Sequence, residues 1–249
     1  MASHTNDSDE GFEPIISNRL AIKLVSALAG LVLIAGLITT AGHWLGQRMA
    51  SGGHTESAEV FDIAIGSDIV SVPANMIRLA EQRASGKASG LNLYLTWPEM
   101  QGYSAAERGR FDTPDTSNDL IFVELSEATM SRDMSGRFEP IYQRLLSGDS
   151  TDFGHGLTLH HLKADSGYGD EVLLSAHRPG KPDYVVRCLL PQRGQEASSA
   201  DCQRDIHAGN GLSILYRFSS KRLAEWDHID AAIGAFVANR LTGQKSDNP

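Results

Sequence analysis

The chain has 249 residues, two cysteines and a formal net charge of −9. The first 23 residues hold four acids and two bases, and Arg48 adds one positive charge, so residues 49–249 carry −8. That balance opposes binding to nucleic acid or to anionic lipid head groups, both of which need clustered Lys and Arg.

Residues 1–18 are polar and acidic (Asp7, Asp9, Glu10, Glu13) and too short to fold as a domain. Leu24–Gly42 follows, LVSALAGLVLIAGLITTAG, 19 residues without a formal charge. A bilayer core about 30 Å thick takes roughly 20 helical residues. Nine Leu, Val and Ile residues supply on the order of −3 to −5 kcal/mol of insertion, nearly what one central arginine, absent here, would cost. Lys23 bounds the stretch on one side and Trp44 on the other, where an indole suits the head-group layer.

The pattern predicts an uncleaved transmembrane helix over 24–44. A cleaved signal peptide wants a basic start and a shorter apolar run, whereas here an acidic segment precedes a long one, and Thr39-Thr40-Ala41 makes a poor cleavage site. Arg19 and Lys23 before the span against Arg48 after it place the N-terminus in the cytosol. The expected location is the inner membrane, single-pass, with residues 60–243 periplasmic. Cys188 and Cys202 then predict a disulfide, since paired cysteines persist in oxidising compartments. Ser26 and Gly30, and Gly42 and Gly46, have the small-xxx-small spacing that lets two helices pair, a route to a homodimer.

Gly46–Glu59, rich in Gly, Ser and His, reads as a tether. Phe61–Ile65 alternates as a strand does, and Ile69–Val72 is a short apolar run. Pro73, Met76, Leu79 and Arg83 have helical spacing up to Gly86. Leu91, Leu93, Leu95 and Trp97 alternate with polar or smaller residues as a half-buried strand. Residues 99–117 read as a surface excursion, and Leu120–Leu125 (LIFVEL) as a strand apolar on both faces apart from Glu124. Met130 to Leu145 has helical spacing, with a firm helix from Pro140. Leu157–Leu162, Glu171–His177, Tyr184–Leu190 and Leu212–Phe218 form a run of strands joined by turns, with Cys188 late in one strand and Cys202 beyond a Gln/Ser-rich loop. Leu223 to Leu241 keeps an apolar stripe for a C-terminal helix. The fold class is α+β: a mixed, mainly antiparallel sheet with packing helices, and a loose end over 244–249.

Candidates for chemistry are sparse. Asp152, His155, His160 and His161 are dense in polar ligands, but on a strand His160 and His161 face opposite ways, so a metal site needs His177 or His207 from a neighbouring strand. Cys202 beside His207 is a weak nucleophile pair if Cys202 is disulfide-bonded. Glu99, Glu124, Glu127, Asp133 and Glu139 are acids that a glycan hydrolase working by paired carboxylates would draw on. The stretch Ser131–Arg137 packs polar and turn residues between apolar positions, as binding loops do. No Gly-x-Ser-x-Gly, Ser-x-x-Lys or His-Glu-x-x-His is present. The expectation is a membrane-anchored binding, scaffold or accessory subunit without a cofactor, touching the bilayer and another envelope protein. A tethered envelope hydrolase is the alternative.

Overall fold

The computed structural model describes residues 18–50, 53–112, 118–168 and 170–242. The chain divides into two units, Met1–Ser51 and Gly52–Pro249. In the first, helix α1 (Asn18–Ala50) takes in the apolar stretch. Its Leu, Val and Ile side chains from Ile22 to Ile38 that are described are 56–69% exposed. At about 100° per residue they point in every direction around the axis, so no single stripe seeks a core. The Thr39 and Thr40 hydroxyls donate to the Ala35 and Gly36 carbonyls at 2.8 and 3.0 Å, which hides their polarity. Lys23 is exposed, and the Trp44 side chain lies outside the described residues. The described side chains run unbroken only from Val25 to Thr40, and among the described residues no helix is long and apolar enough to cross a membrane.

The second unit is built on two sheets rather than the one expected. Strands β1 (Val60–Ile65), β2 (Asp68–Pro73), β3 (Gly86–Lys87) and β12 (Leu241–Thr242) form a small sheet in the order β12-β2-β1-β3, with β1 and β3 parallel. Strands β4 (Gly90–Thr96), β5 (Leu120–Glu127), β6 (Leu146–Gly154), β7 (Leu157–Leu162), β8 (Val172–Ala176), β9 (Tyr184–Cys188), β10 (Cys202–Ala208) and β11 (Leu212–Phe218) form a large antiparallel sheet. Its order is β4-β5-β11-β10-β9-β8-β7-β6. A short helix α2 (Arg108–Asp112) lies in the β4–β5 connection, and α3 (Trp226–Ala238) follows β11.

Alternation decides what goes inside. Leu91, Leu93, Leu95, Ile121, Val123, Leu125, Ile214 and Val186 leave one face of the large sheet. They meet Ile63, Ile65, Val70 and Val72 of the small sheet and Ile229, Ile233, Phe236 and Val237 of α3. Two turns bind the sheets at their rim: the Asp68 carboxylate accepts the Asn210 amide at 2.9 Å, in the β10–β11 turn. A side chain at Gly209 (φ 57°) would run into that carboxylate, which is why the turn needs glycine there.

Several elements differ from the pattern. The segment after Pro73 forms two short 3-10 turns, Ala74–Met76 and Ala80–Gln82, not a helix. Met76 and Ile77 are both buried, and Ile77 bridges to Leu93, a placement one helix face does not offer. Pro140 is likewise followed only by a 3-10 turn, Tyr142–Leu145. Cys202 opens β10, a strand the pattern does not anticipate. Residues 54–59, assigned by composition to the tether, are bonded to the domain: Ala74 and Asn75 amides donate to Glu59 and Ser57 carbonyls at 2.7 and 3.0 Å.

The large sheet is two four-stranded halves joined at one seam. Strands β9 and β10 register over two pairs only, Cys188↔Cys202 and Arg187↔Gln203. The first pair is a disulfide with a Cα–Cα distance of 4.0 Å. Beyond it the strands part, and Arg204, 1% exposed, fills the gap. Its Nε donates to Asp230 Oδ1 at 2.8 Å, and one Nη1 donates to the Val185 carbonyl and to Ser135 Oγ at 2.8 and 2.9 Å. The Tyr184 ring stacks against the guanidinium, 4.7 Å away. Asp230, on α3, also accepts from the Tyr216 hydroxyl at 2.7 Å and from Arg178 Nη1 at 2.6 Å. Burial pushes its carboxyl up, but the two arginines and the tyrosine outweigh burial and hold it below its ordinary value.

Removing one side of such a pair leaves an uncompensated charge in the core. Asp230→Asn is expected to cost about 3–5 kcal/mol in urea unfolding, and adding Arg204→Met to return part of that loss. Because the folded carboxyl titrates below its unfolded value near 3.9, the unfolded chain takes up the proton first as pH falls. The Asp230 contribution is therefore whole above that value and lost as pH drops through the folded one. Thermal melts from pH 6 to pH 3 are expected to show a fall that Asp230→Asn flattens. Replacing both Cys188 and Cys202 by Ser opens a loop with a sequence separation of 14 and is expected to cost about 3 kcal/mol, read from the same urea curves.

Candidate functional site

The face of the large sheet opposite α3 carries the other half of each alternating strand. Strand register aligns Asn92, Glu124, Leu215 and Asp205 in one row across β4, β5, β11 and β10. The next row is Tyr94, Phe122, Arg217, Gln203 and Arg187. A third holds Ser126, Ser213 and His207.

Both ends of this face are roofed. At the β4 end, His54 stacks on Tyr103 with ring centroids 4.7 Å apart and meets Tyr94 and Phe111 edge-on at 5.3 and 5.8 Å. Its Nδ1 hydrogen-bonds the Tyr94 hydroxyl at 3.1 Å, and its Nε2 lies 3.3 Å from the Asp112 carboxylate. Burial lowers the His54 pKa against the pull of Asp112, and burial lifts the Tyr94 phenol to about 12. At the β8–β9 end, Met134 and Tyr142 cover Leu173 and Val185, with Phe138 and Leu145 packed beside them. That roof is the β5–β6 connection, which contains Ser131–Arg137.

Between the roofs the sheet is open. A groove of about 360 Å³ runs along its floor, lined by Met130, Met134, Ile141, Tyr168, Leu215 and Arg217 among others. A second hollow of about 210 Å³, over Glu124, Ser126, His207 and Ser213, shares Met130, Arg137, Asp205 and Leu215 with it. Met130 and Ile141 stand 55% and 43% exposed on the wall, large apolar side chains facing water at the lip of a cleft.

Charge in the groove is partly settled. Arg137 pairs with Asp205, pinning the roof to β10. The Met134 amide donates to the Asp205 carbonyl at 3.4 Å, and Asp133 Oδ1 accepts the Gly136 amide at 2.9 Å. Arg187 pairs with Glu171 and lies 4.4 Å over the Tyr168 ring. Burial raises the Glu171 pKa, with Arg187 opposing. Arg78, Arg217 and Glu124 make no ion pair among the described residues. The Arg78 guanidinium rests 4.9 Å over the Phe122 ring, a contact that leaves its donors pointing away.

The residues singled out by sequence disperse, with three exceptions. His160 faces the β8–β9 roof and bonds Ser175 Oγ at 2.9 Å, and burial lowers its pKa. His161 is exposed, His155 sits in a turn at φ 57°, and His177 pairs with Asp183 at 2.8 Å. Among the described residues no group of three His, Cys, Asp or Glu is placed to hold a metal ion. Cys202 is in the disulfide and so offers no thiol beside His207. Glu99 bonds Arg110 at 3.0 Å, Glu127 lies against Gly66, and Glu139 is exposed. Among the described candidates, Glu124, His207 and the Ser131–Arg137 stretch reach the groove and its adjoining hollow. Sequence reasoning missed Arg78, Phe122, Leu215 and Arg217. The signal was the alternation within LIFVEL and LSILYRF, where even positions of the first and odd positions of the second face away from the core.

No protein family matches the sequence, and no curated protein does. Two solved structures resemble the chain. Smlt3025, an immunity protein of the Stenotrophomonas maltophilia type IV secretion system, aligns with a TM-score of 0.51 at 16% identity, over 76% of this chain and 96% of that one. The Neisseria meningitidis iron-regulated outer membrane lipoprotein FrpD aligns with a TM-score of 0.42 at 8% identity, over 75% and 96%. The chain thus shares its fold with Smlt3025.

Proposed function

We propose that this protein is a non-enzymatic binding subunit of the bacterial envelope, anchored by α1 in the inner membrane, that holds a second protein in the groove of its large sheet. The observation that carries this reading is the stretch of sheet left open between two roofs, with apolar side chains at its lip. Protein interfaces place desolvated apolar and aromatic groups at the centre and charge around them, and the groove offers Leu215, Phe122 and Met130 inside a ring of charges. Smlt3025, of like fold, is named an immunity protein. The open face gives this chain a surface suited to holding a partner. The buried disulfide and the acidic surface fit a domain facing the periplasm.

The anchor rests on the 19 uncharged residues Leu24–Gly42 and on the apolar side chains described between Ile22 and Ile38, which are exposed on all sides of the helix. Such a helix satisfies its own backbone and turns only hydrocarbon outward, which is what lipid accepts. The small-residue spacing Ser26–Gly30 is a surface on which two copies would meet.

A hydrolase is disfavoured by the groove itself. Asp205 is committed to Arg137, and no hydrogen bond joins Ser126 or Ser213 to His207 among the described residues. Nucleophile and base therefore lack the contact that activates one by the other.

Two measurements test the reading on the full chain in its own cells. A photo-crosslinking amino acid at Leu215 is expected to give one discrete protein adduct, and the same group at exposed Asp165 none; equal labelling at both positions overturns the groove assignment. Alkaline carbonate is expected to leave the chain in the membrane pellet, and release into the supernatant overturns the anchor.

A further inference from the structure

The geometry points to the chemistry of the partner: the groove takes an acidic side chain set beside an apolar one, the carboxylate lying between Arg78 and Arg217. This deepens the capture reading and rests on it.

Counting charges in the groove isolates the feature. The paired arginines, Arg137 and Arg187, have Asp205 and Glu171. Arg78 and Arg217 have neither, and both line a small hollow of about 40 Å³ beside the groove, together with Phe122, Leu215 and Glu124. Strand register puts Arg217 directly opposite Phe122, and Arg78 rests on that ring from the β4 side, with its backbone amide on the Asn92 carbonyl at 2.8 Å. Two guanidinium groups therefore flank one aromatic face.

On a domain carrying an excess of acids, two unpaired arginines sharing one hollow are a local reversal of sign. Guanidinium is a planar fork that matches a carboxylate through two parallel hydrogen bonds and is weakly hydrated enough to be covered. Glu124 is the one acid beside them without an ion-pair partner. It lines the same hollow from the neighbouring row, opposite Leu215, so it offsets one of the two positive charges and leaves one in excess. It would repel a second carboxylate placed deeper, which sets the number of acids at one. The apolar neighbour has its seat next door, on Leu215, Met130 and Ile141.

A defined probe tests this. Two short capped peptides are titrated against the full chain in nanodiscs, one with a single Glu beside Leu and Phe, the other with Gln in place of Glu. The acidic peptide is expected to bind about tenfold more tightly than the neutral one at low salt, with the preference shrinking as salt rises. R78Q with R217Q is expected to erase the preference while leaving the urea midpoint unchanged, since neither side chain is buried or paired. Equal affinity for the two peptides, or a preference that survives in the double variant, overturns the inference. The capture reading stands or falls separately: a protein adduct at Leu215 with no acidic preference keeps capture and removes this partner chemistry.

Discussion

Arg204 is the interaction on which the rest of the second unit depends. It occupies a core position on β10, where the pattern asks for an apolar residue, and it answers four groups. Its guanidinium takes the place of the strand pairing that β9 and β10 give up after their second register pair. Through Asp230 it draws α3 onto the sheet. Through Ser135 it reaches the connection that roofs the opposite face. A single ion therefore fixes helix, sheet and roof, and the stability of that ion depends on every partner being present. A core leucine at the same position would pack, but it would not choose which helix and which loop to hold.

The same arrangement explains why the groove exists. A connection of some twenty residues from β5 to β6 has to cross the outer face to reach the far edge of the sheet. It is pulled toward β9 and β10 by Arg137, Met134 and Ser135, so it covers that end and leaves β5 and β11 bare. At the other end, the chain entering the domain tucks His54 into a ring of aromatic side chains and covers β4. What remains open is set by these two anchorages rather than by any feature of the floor.

Much of this architecture was written in alternation. β4, β5, β7, β9 and β11 follow from every-second-residue burial, and the helix after Trp226 from its stripe. Two strands of the large sheet escaped for opposite reasons. β10, reading CQRDIHA, hides a core strand because Arg204 and Asp205 are buried with partners far away in sequence. β6, reading LSGDSTDFG, is an edge strand with shifted register at two points, so water faces most of it and no apolar rhythm is required. The helix expected after Pro73 lost to tertiary packing, which uses Met76 and Ile77 together. For the site, local composition found the wall at Ser131–Arg137. It did not find Arg78 and Arg217, which lie 139 positions apart in the chain and become neighbours only when β4, β5 and β11 pair.

The disulfide sits back to back with the groove. Cys188 and Cys202 point into the core, and the adjacent register pair, Arg187 and Gln203, points out and lines the cleft. The covalent bond and part of the recognition surface are thus two sides of one hinge line. Without the disulfide that line is held by the short strand pairing, the Leu189 amide on the Asp201 carbonyl, and the Arg204–Asp230–Arg178 cluster. The disulfide is then more than reinforcement: it sets the spacing between the two halves of the cleft.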